Sequence, residues 1–88
     1  MGRIKVYFVR TCPYCQEAIA ALLDRDAELA DVELVDVERR PHLRARLAAE
    51  TGCRTLPSVW VDGVYIGGMR TGPAPFGGLA SVIRFLPR

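Results

Sequence analysis

Residues 4–15 read IKVYFVRTCPYC, and this stretch decides the fold. Residues 4–9 alternate in the way of a β-strand and are mostly apolar, which predicts a strand packed on both faces. The strand then breaks and a helix opens, with Pro13 suited to its first turn. Cys12 and Cys15 therefore lie at a strand-to-helix junction, where a pair of thiols is more informative than the same spacing elsewhere.

The junction favours thiol chemistry at Cys12. Open backbone N–H groups and the positive end of the helix dipole both stabilise a thiolate at a helix start. Cys12 is therefore the predicted nucleophile, and Arg10 adds positive potential beside it. Cys15 falls on the apolar helix face and is the predicted resolving thiol, while the exposed ring of Tyr14 is expected to border a substrate groove.

The remaining sequence completes the order β-α-β-α-β-β-α, an α/β chain with a parallel first strand pair and an antiparallel last pair. Asp62–Gly63 between two β-rich runs is a strong hairpin signal. The predicted elements are a helix with Cys15, Ala18, Ile19, Leu22 and Leu29 on one face, a strand at Asp31–Val37, a helix from Pro41 to Thr51–Gly52 with Leu43 and Leu47 buried, strands at Ser58–Val61 and Val64–Ile66, and a terminal helix with the stripe Leu79, Val82, Ile83 and Leu86.

Length and composition restrict the class of protein. The 88 residues allow one domain, 1–88, and half of them are apolar while 25% are charged. This balance excludes a disordered tail, a collagen-like fibre and a membrane span. The net charge of +2 is too small to indicate nucleic acid binding. No signal peptide is predicted, so we expect a cytoplasmic protein.

Charge and cysteine usage add two weaker signals. No acidic residue follows Asp62, whereas Arg70, Arg84 and Arg88 do, which makes the C-terminal third weakly positive. Three cysteines in a chain of this kind indicate redox or metal chemistry rather than a disulfide scaffold. A zinc site of the dithiol with His42 and Cys53 is the competing hypothesis, although its spacing is not that of structural zinc sites. We otherwise expect Cys53 to be a structural or incidental thiol.

A second motif, Leu56–Pro57, precedes the third strand. Together, Cys12-Pro13-Tyr14-Cys15, Arg54-Thr55-Leu56-Pro57 and Val64-Tyr65-Ile66-Gly67-Gly68 resemble the glutaredoxins, the small dithiol branch of the thioredoxin-like family. The resemblance spans nearly the whole chain and is highly specific through Gly68. It implies a thioredoxin-like fold, a four-stranded mixed sheet flanked by three helices.

The resemblance also implies an activity and a set of site residues. The chain would be a thiol–disulfide oxidoreductase that uses glutathione as co-substrate to reduce protein disulfides and glutathione mixed disulfides. The peptide before Pro57 would be cis, the backbone of Leu56 would pair with the cysteinyl part of glutathione, and Gly68 with the following amides would hold the γ-glutamyl carboxylate. The residues expected to contact glutathione are Arg10, Tyr14, Thr55, Leu56, Pro57, Gly68, Met69 and Arg70.

The expected partners follow from the same resemblance. They are glutathione, disulfide-containing or glutathionylated proteins and, indirectly, glutathione reductase, in electron transport and cell redox homeostasis. We expect a monomer with no metal, no nucleic acid and no membrane partner.

The chain departs from the glutaredoxin pattern at two places. Met69, Arg70 and Thr71 stand where the family usually has an acidic pair that holds the γ-glutamyl amino group, and Val9 stands where it usually has a lysine. Arg10 is the candidate substitute for that lysine. The lost acidic pair leaves open a redoxin fed by thioredoxin reductase, which supplies an enzyme such as ribonucleotide reductase.

Two further alternatives concern a cluster and a loop. An iron–sulfur module held between two chains by Cys12 and glutathione is the third hypothesis, and Pro13 argues against it. The loop Gly72–Gly78 is unusually long for the family, and a surface connection is favoured over a loop that shapes the substrate site.

Overall fold

The computed structural model describes residues 3–24 and 31–86, and its elements follow the predicted order. Leu29 of the predicted helix face and Arg88 lie outside the described residues. The elements are β1 (Arg3–Phe8), α1 (Pro13–Asp24), β2 (Asp31–Asp36), α2 (Pro41–Thr51), β3 (Ser58–Val61), β4 (Val64–Gly67), α3 (Leu79–Val82) and a 3₁₀ turn at Ile83–Phe85.

The sheet has the strand order β2-β1-β3-β4. β1 pairs with β2 in parallel and with β3 in antiparallel, and β3 pairs with β4 in antiparallel. These pairings confirm the predicted mixed sheet. Because β1 and β2 are parallel, their carboxyl ends lie at one edge of the sheet, and the segment after Phe8 runs beside the segment after Asp36.

Turn and cap residues explain where these elements stop. Asp62 and Gly63 both have positive φ, 50° and 81°, as a two-residue hairpin with a type I′ turn requires. α2 has Pro41 in its first turn, and it ends at Gly52 in the left-handed region, whose N–H donates to the carbonyl of Ala48 at 2.8 Å. The predicted bounds of α2 and the predicted turn at Asp62–Gly63 are therefore confirmed, while β4 extends one residue beyond its predicted end, to Gly67.

The core lies on one face of the sheet under α1 and the C-terminal turns. Lys5 and Tyr7, on the opposite face of β1, stay partly accessible, with the ammonium of Lys5 3.8 Å from Glu33. The prediction that β1 is packed on both faces holds fully for Ile4 and Val6 and only in part for Lys5 and Tyr7, because their face carries a surface ion pair. The buried cluster consists of Ile4, Val6, Ala18, Leu22, Val59, Ile66, Met69, Leu79 and Leu86.

The C-terminal segment differs from the single helix that the apolar stripe predicts. α3 ends at Val82 and continues as a tighter 3₁₀ turn, in which Leu86 N–H donates to Ile83 O at 3.4 Å. Leu79 and Leu86 are both buried, so the stripe identified the core residues while the helix type changed. Within 3–24 and 31–86, no helix is both long and apolar enough to cross a membrane.

Candidate active site

Cys12 immediately precedes α1 and acts as its cap. Its carbonyl accepts the N–H of Gln16 at 3.0 Å, and its Sγ accepts the N–H of Cys15 at 3.3 Å. The sulfur thus occupies the place that a serine or aspartate oxygen takes at an ordinary N-cap. On its other side Sγ is 3.5 Å from the carbonyl of Leu56, to which the thiol donates when protonated.

Cys15 is fully buried, whereas Cys12 is partly accessible, as the sequence predicts for a resolving thiol and a nucleophile. Burial is the main reason that the pKa of Cys15 rises to about 12, and the neighbouring Cys12 side chain raises it further. The positive charge of Arg44 opposes this rise. Cys15 is therefore a neutral thiol at neutral pH, and an incoming disulfide meets Cys12 first.

The third thiol, Cys53, lies in a different environment, and this predicts an order of alkylation. Its Sγ is 2.8 Å from Thr55 Oγ1, and this hydrogen bond lowers the pKa of Cys53. In a Cys12→Ser background, iodoacetamide is expected to label Cys53 at pH values below 9, whereas Cys15 stays unlabelled until the pH rises well above 9, because only thiolates react. Mass spectrometry of the tryptic peptides 11–25 and 47–54 measures the two rates separately.

The control is the same labelling in guanidinium chloride, where burial is lost and both cysteines react alike. Equal labelling of Cys15 and Cys53 in the folded protein at pH 8 would contradict the assigned environments.

A shallow groove of about 190 Å³ opens beside the dithiol. The Leu56–Pro57 peptide at its floor is cis, as the resemblance implies. Seven of the eight residues expected to contact glutathione line the groove, and Thr71 joins them. The lining residues are Tyr14, Thr55, Leu56, Pro57, Gly68, Met69, Arg70 and Thr71.

The loop after β4 presents open backbone amides to the groove. The N–H of Gly68 donates to Thr71 O at 2.8 Å, so the open amides of this loop begin at the following residue. Among the residues the structure describes, the N–H groups of Met69 and Arg70 have no hydrogen-bond partner. The carbonyls of Gly68 and Met69 accept the first N–H groups of α3, which fixes both peptides, and the side chain of Met69 packs in the core.

An ion pair lies at the edge of the groove, which Arg70 lines. The guanidinium of Arg70 hydrogen-bonds the carboxylate of Glu17 on α1. Glu17 lies three residues after Tyr14, so the two side chains are neighbours on the helix surface. Glu17 is not among the residues predicted for the site, although its i+3 spacing from Tyr14 is the signal that identifies it.

Arg10 is not brought into the groove. Its side chain is exposed and lies 3.4 Å from Asp36, in a separate cleft beside residues 38–40. It therefore does not take the position of the family's lysine in the groove. The cation whose charge acts on the pKa of Cys15 is Arg44 on α2. Sequence reasoning missed Arg44 because β2 separates it from Cys15 along the chain.

The candidate zinc ligands do not form one group. The side chain of Cys53 is hydrogen-bonded to that of Thr55, and His42 is exposed in the first turn of α2. The described ranges contain no cluster of three or more His, Cys, Asp or Glu arranged to hold a metal ion.

The loop Gly72–Gly78 folds back on itself away from the groove. Gly78 N–H donates to Ile66 O at 2.9 Å, and Phe76 N–H donates to Pro73 O at 2.9 Å. Phe76 packs against the core, and no residue of the loop lines the groove. This favours the interpretation of the loop as a surface connection.

Comparisons with known proteins identify relatives that are similar in sequence and in structure. The chain is 34% identical over 68 residues to a glutaredoxin of Pseudomonas aeruginosa, covering 77% of each protein, and 33% identical to human glutaredoxin-1, covering 76% of this chain and 66% of the relative. Oxidized glutaredoxin 2 of Chlamydomonas reinhardtii superposes with a TM-score of 0.62 at 33% identity, over 76% of this chain and 64% of that one.

The fold and the dithiol at the start of α1 define a thiol–disulfide oxidoreductase. The chain belongs to the glutaredoxin family, whose model matches residues 4–66. Glutaredoxins use glutathione as co-substrate and act on disulfide substrates.

Proposed function

We propose that this protein uses glutathione to reduce glutathione mixed disulfides and protein disulfides through Cys12 and Cys15. One observation carries the proposal. The Cys12 sulfur lies between the N–H of Cys15 and the carbonyl of Leu56, beside a groove whose far wall offers the two open amides of Met69 and Arg70. A small anionic thiol peptide fits this combination of a reactive sulfur and open donors.

Glutathione has charged groups at both ends. For its γ-glutamyl end, the groove would supply one partner for the carboxylate and another for the ammonium group. The amides of Met69 and Arg70 would bind the γ-glutamyl carboxylate. The carboxylate of Glu17, held beside Arg70, would face the ammonium group and supply the acid that the loop after Gly68 lacks. The backbone of Leu56 would pair with the cysteinyl unit as an added strand does.

Arg44 would bind the second carboxylate, on the glycine of glutathione. Arg44 lies on α2, where it lines a cleft together with Arg54, and its positive charge opposes the rise in the pKa of Cys15. Among the residues described, Arg44 forms no ion pair, so its guanidinium is available to a ligand. It replaces Arg10 as the cation proposed for this end of the ligand.

The one-cysteine route balances as two exchanges. The Cys12 thiolate attacks the glutathione sulfur of a protein mixed disulfide, the S–S bond breaks, and the protein thiolate leaves and takes up a proton. The thiolate of a second glutathione then attacks the Cys12–glutathione disulfide, which releases oxidised glutathione and restores the Cys12 thiolate.

The two-cysteine route reduces a protein disulfide. Cys12 attacks one sulfur, Cys15 loses its proton and attacks the Cys12 sulfur of the mixed disulfide, and the substrate leaves as a dithiol. Two glutathiones then reduce the Cys12–Cys15 disulfide and leave as oxidised glutathione. Because Cys15 is buried with a pKa of about 12, its deprotonation slows this route at neutral pH. We place both routes in the cytoplasm, with the protein acting as a monomer.

The test is NADPH consumption with a glutathione mixed disulfide, coupled either to glutathione with glutathione reductase or to thioredoxin reductase. Turnover is expected with the glutathione system, because the open amides and Arg44 bind the carboxylates of glutathione. Turnover only with thioredoxin reductase would overturn the proposal and indicate the redoxin alternative. A brown protein from anaerobic purification would instead indicate a cluster-binding module.

Glu17 tests the assigned orientation in the same assay. Glu17→Gln is expected to raise KM for the glutathione mixed disulfide about tenfold, since one charge-assisted hydrogen bond is lost, with little change in kcat. Glu50→Gln on α2 is the matched control and should leave KM unchanged. An equal effect of the two variants would exclude Glu17 from the site.

A further inference from the structure

Four arginines on the α2 side of the dithiol lack a counter-ion. Within residues 3–24 and 31–86, four other arginines form ion pairs with carboxylates, for example Arg46 with Glu50 and Arg70 with Glu17. Five described arginines form no such pair. One is Arg84 on the C-terminal 3₁₀ turn, and the other four, all exposed, are named here the arginine surface: Arg39, Arg40, Arg44 and Arg54. An unpaired group of like charges produces a positive potential over the surrounding surface.

The arginine surface is continuous. Arg39 and Arg40 line one cleft, and Arg44 and Arg54 line a second cleft of about 460 Å³ with a floor of alanines from α2. One residue of each cleft is adjacent to the other at the start of α2, where Arg44 N–H donates to Arg40 O at 3.0 Å, so Arg40 and Arg44 lie one turn apart. The acidic groups beside them are Asp36, which is paired with Arg10, and Glu38.

The arginine surface adjoins, along the chain, the segments that carry Leu56 and Cys12, and none of its four residues lines the groove. Arg54 lies two residues before Leu56, whose carbonyl is 3.5 Å from Cys12 Sγ. Arg10, two residues before Cys12, lines the same cleft as Arg39 and Arg40. The groove of about 190 Å³ is far too small to hold the polypeptide of a protein substrate. The polypeptide of a protein substrate must therefore lie outside it, across the surface that surrounds Cys12.

We propose that the arginine surface is the docking site for the polypeptide part of the substrate, and that it selects substrates whose reactive cysteine is flanked by Asp and Glu. The inference rests on the proposed function and names its substrate class. When Arg44 binds the glycine carboxylate of glutathione, the other three arginines remain for the partner. Complementary charge of this kind accelerates encounter and excludes basic partners.

The test compares short glutathionylated peptides that share one cysteine and differ only in acidic or basic flanks. At low ionic strength the wild type is expected to give a kcat/KM about tenfold higher for the acidic peptide, and added NaCl removes most of the difference. Arg39→Glu/Arg40→Glu is expected to abolish the preference while the rate with cysteine–glutathione disulfide stays unchanged. Arg46→Glu/Arg84→Glu, with the same change in net charge, should keep the preference.

Each outcome is decisive. Equal kcat/KM for the two peptides in the wild type, or an equal loss of preference in both double variants, would overturn the docking site. If no glutathione-linked turnover occurs at all, the proposed function fails, and the docking site is tested separately. Fluorescence anisotropy of labelled, cysteine-free peptides must then still show tighter binding of the acidic one, with the loss confined to Arg39→Glu/Arg40→Glu.

Discussion

Replacing Cys12 by serine is expected to lower kcat/KM for a glutathione mixed disulfide by a factor on the order of 10³ or more. Thiol–disulfide exchange needs a sulfur nucleophile that forms a mixed disulfide, and a serine hydroxyl cannot do so. Cys12 is the partly accessible member of the dithiol, and Cys15 is buried behind it. Rates measured by NADPH consumption with glutathione and glutathione reductase give the result directly.

The companion variants separate the two sulfurs. Cys15→Ser should retain turnover of the mixed disulfide, since the one-cysteine route does not use Cys15, and should lose most reduction of protein disulfides. Cys53→Ser, which removes a thiol bonded to Thr55, should leave both activities intact. Activity that survives Cys12→Ser would show that Cys12 is not the nucleophile.

The second large effect is expected from Gly67→Ala at the end of β4. Gly67 has a φ of 118°, and a Cβ there would lie 2.3 Å from the carbonyl oxygen of Thr71 and 2.5 Å from the Cα of Gly72. Both contacts are with backbone, so the loop that carries Met69 and Arg70 must move. We expect the free energy of unfolding to fall by at least about 3 kcal/mol, a large fraction of the stability of a small domain.

Gly63→Ala provides the matched control for this variant. Gly63 also has a positive φ, 81°, but nothing lies within 4 Å of its added Cβ. The expected loss is therefore only the backbone cost, about 1–2 kcal/mol. Urea unfolding followed by the fluorescence of Trp60, the single tryptophan, measures both variants. Equal losses would show that the contact of Gly67 with the loop does not matter to stability.

Sequence reasoning reached the fold because its signals are local. The alternation of residues 4–9 specifies a strand, Pro41 with Gly52 specifies a helix, and Asp62–Gly63 specifies a turn. Each signal acts through nearby backbone geometry, and the structure has all three elements. The terminal helix shows the limit of this approach. Its apolar stripe identified Leu79 and Leu86 as core residues, but a short α-helix and a 3₁₀ turn present them equally well.

The site was predicted where its residues lie in motifs and missed where they meet only in space. The dithiol, Thr55–Pro57 and Gly68–Arg70 come together at one groove. Glu17 and Arg44 belong to no motif, because Glu17 reaches Arg70 and Arg44 comes near Cys15 only in the folded chain. Arg10 shows the opposite error, since closeness to Cys12 in sequence does not decide the direction of its side chain, which turns to Asp36.

Because a ribosome produces the chain from its N-terminus, the groove is completed late in synthesis. A nascent chain that has emerged as far as Arg70 already carries Cys12, Cys15 and Pro57. It still lacks Leu79 and Ala80, whose N–H groups hold the carbonyls of Gly68 and Met69 at 2.8 Å. The wall of open amides is therefore completed only when the C-terminal turns have left the exit tunnel, so the thiols exist before the groove that selects their partner.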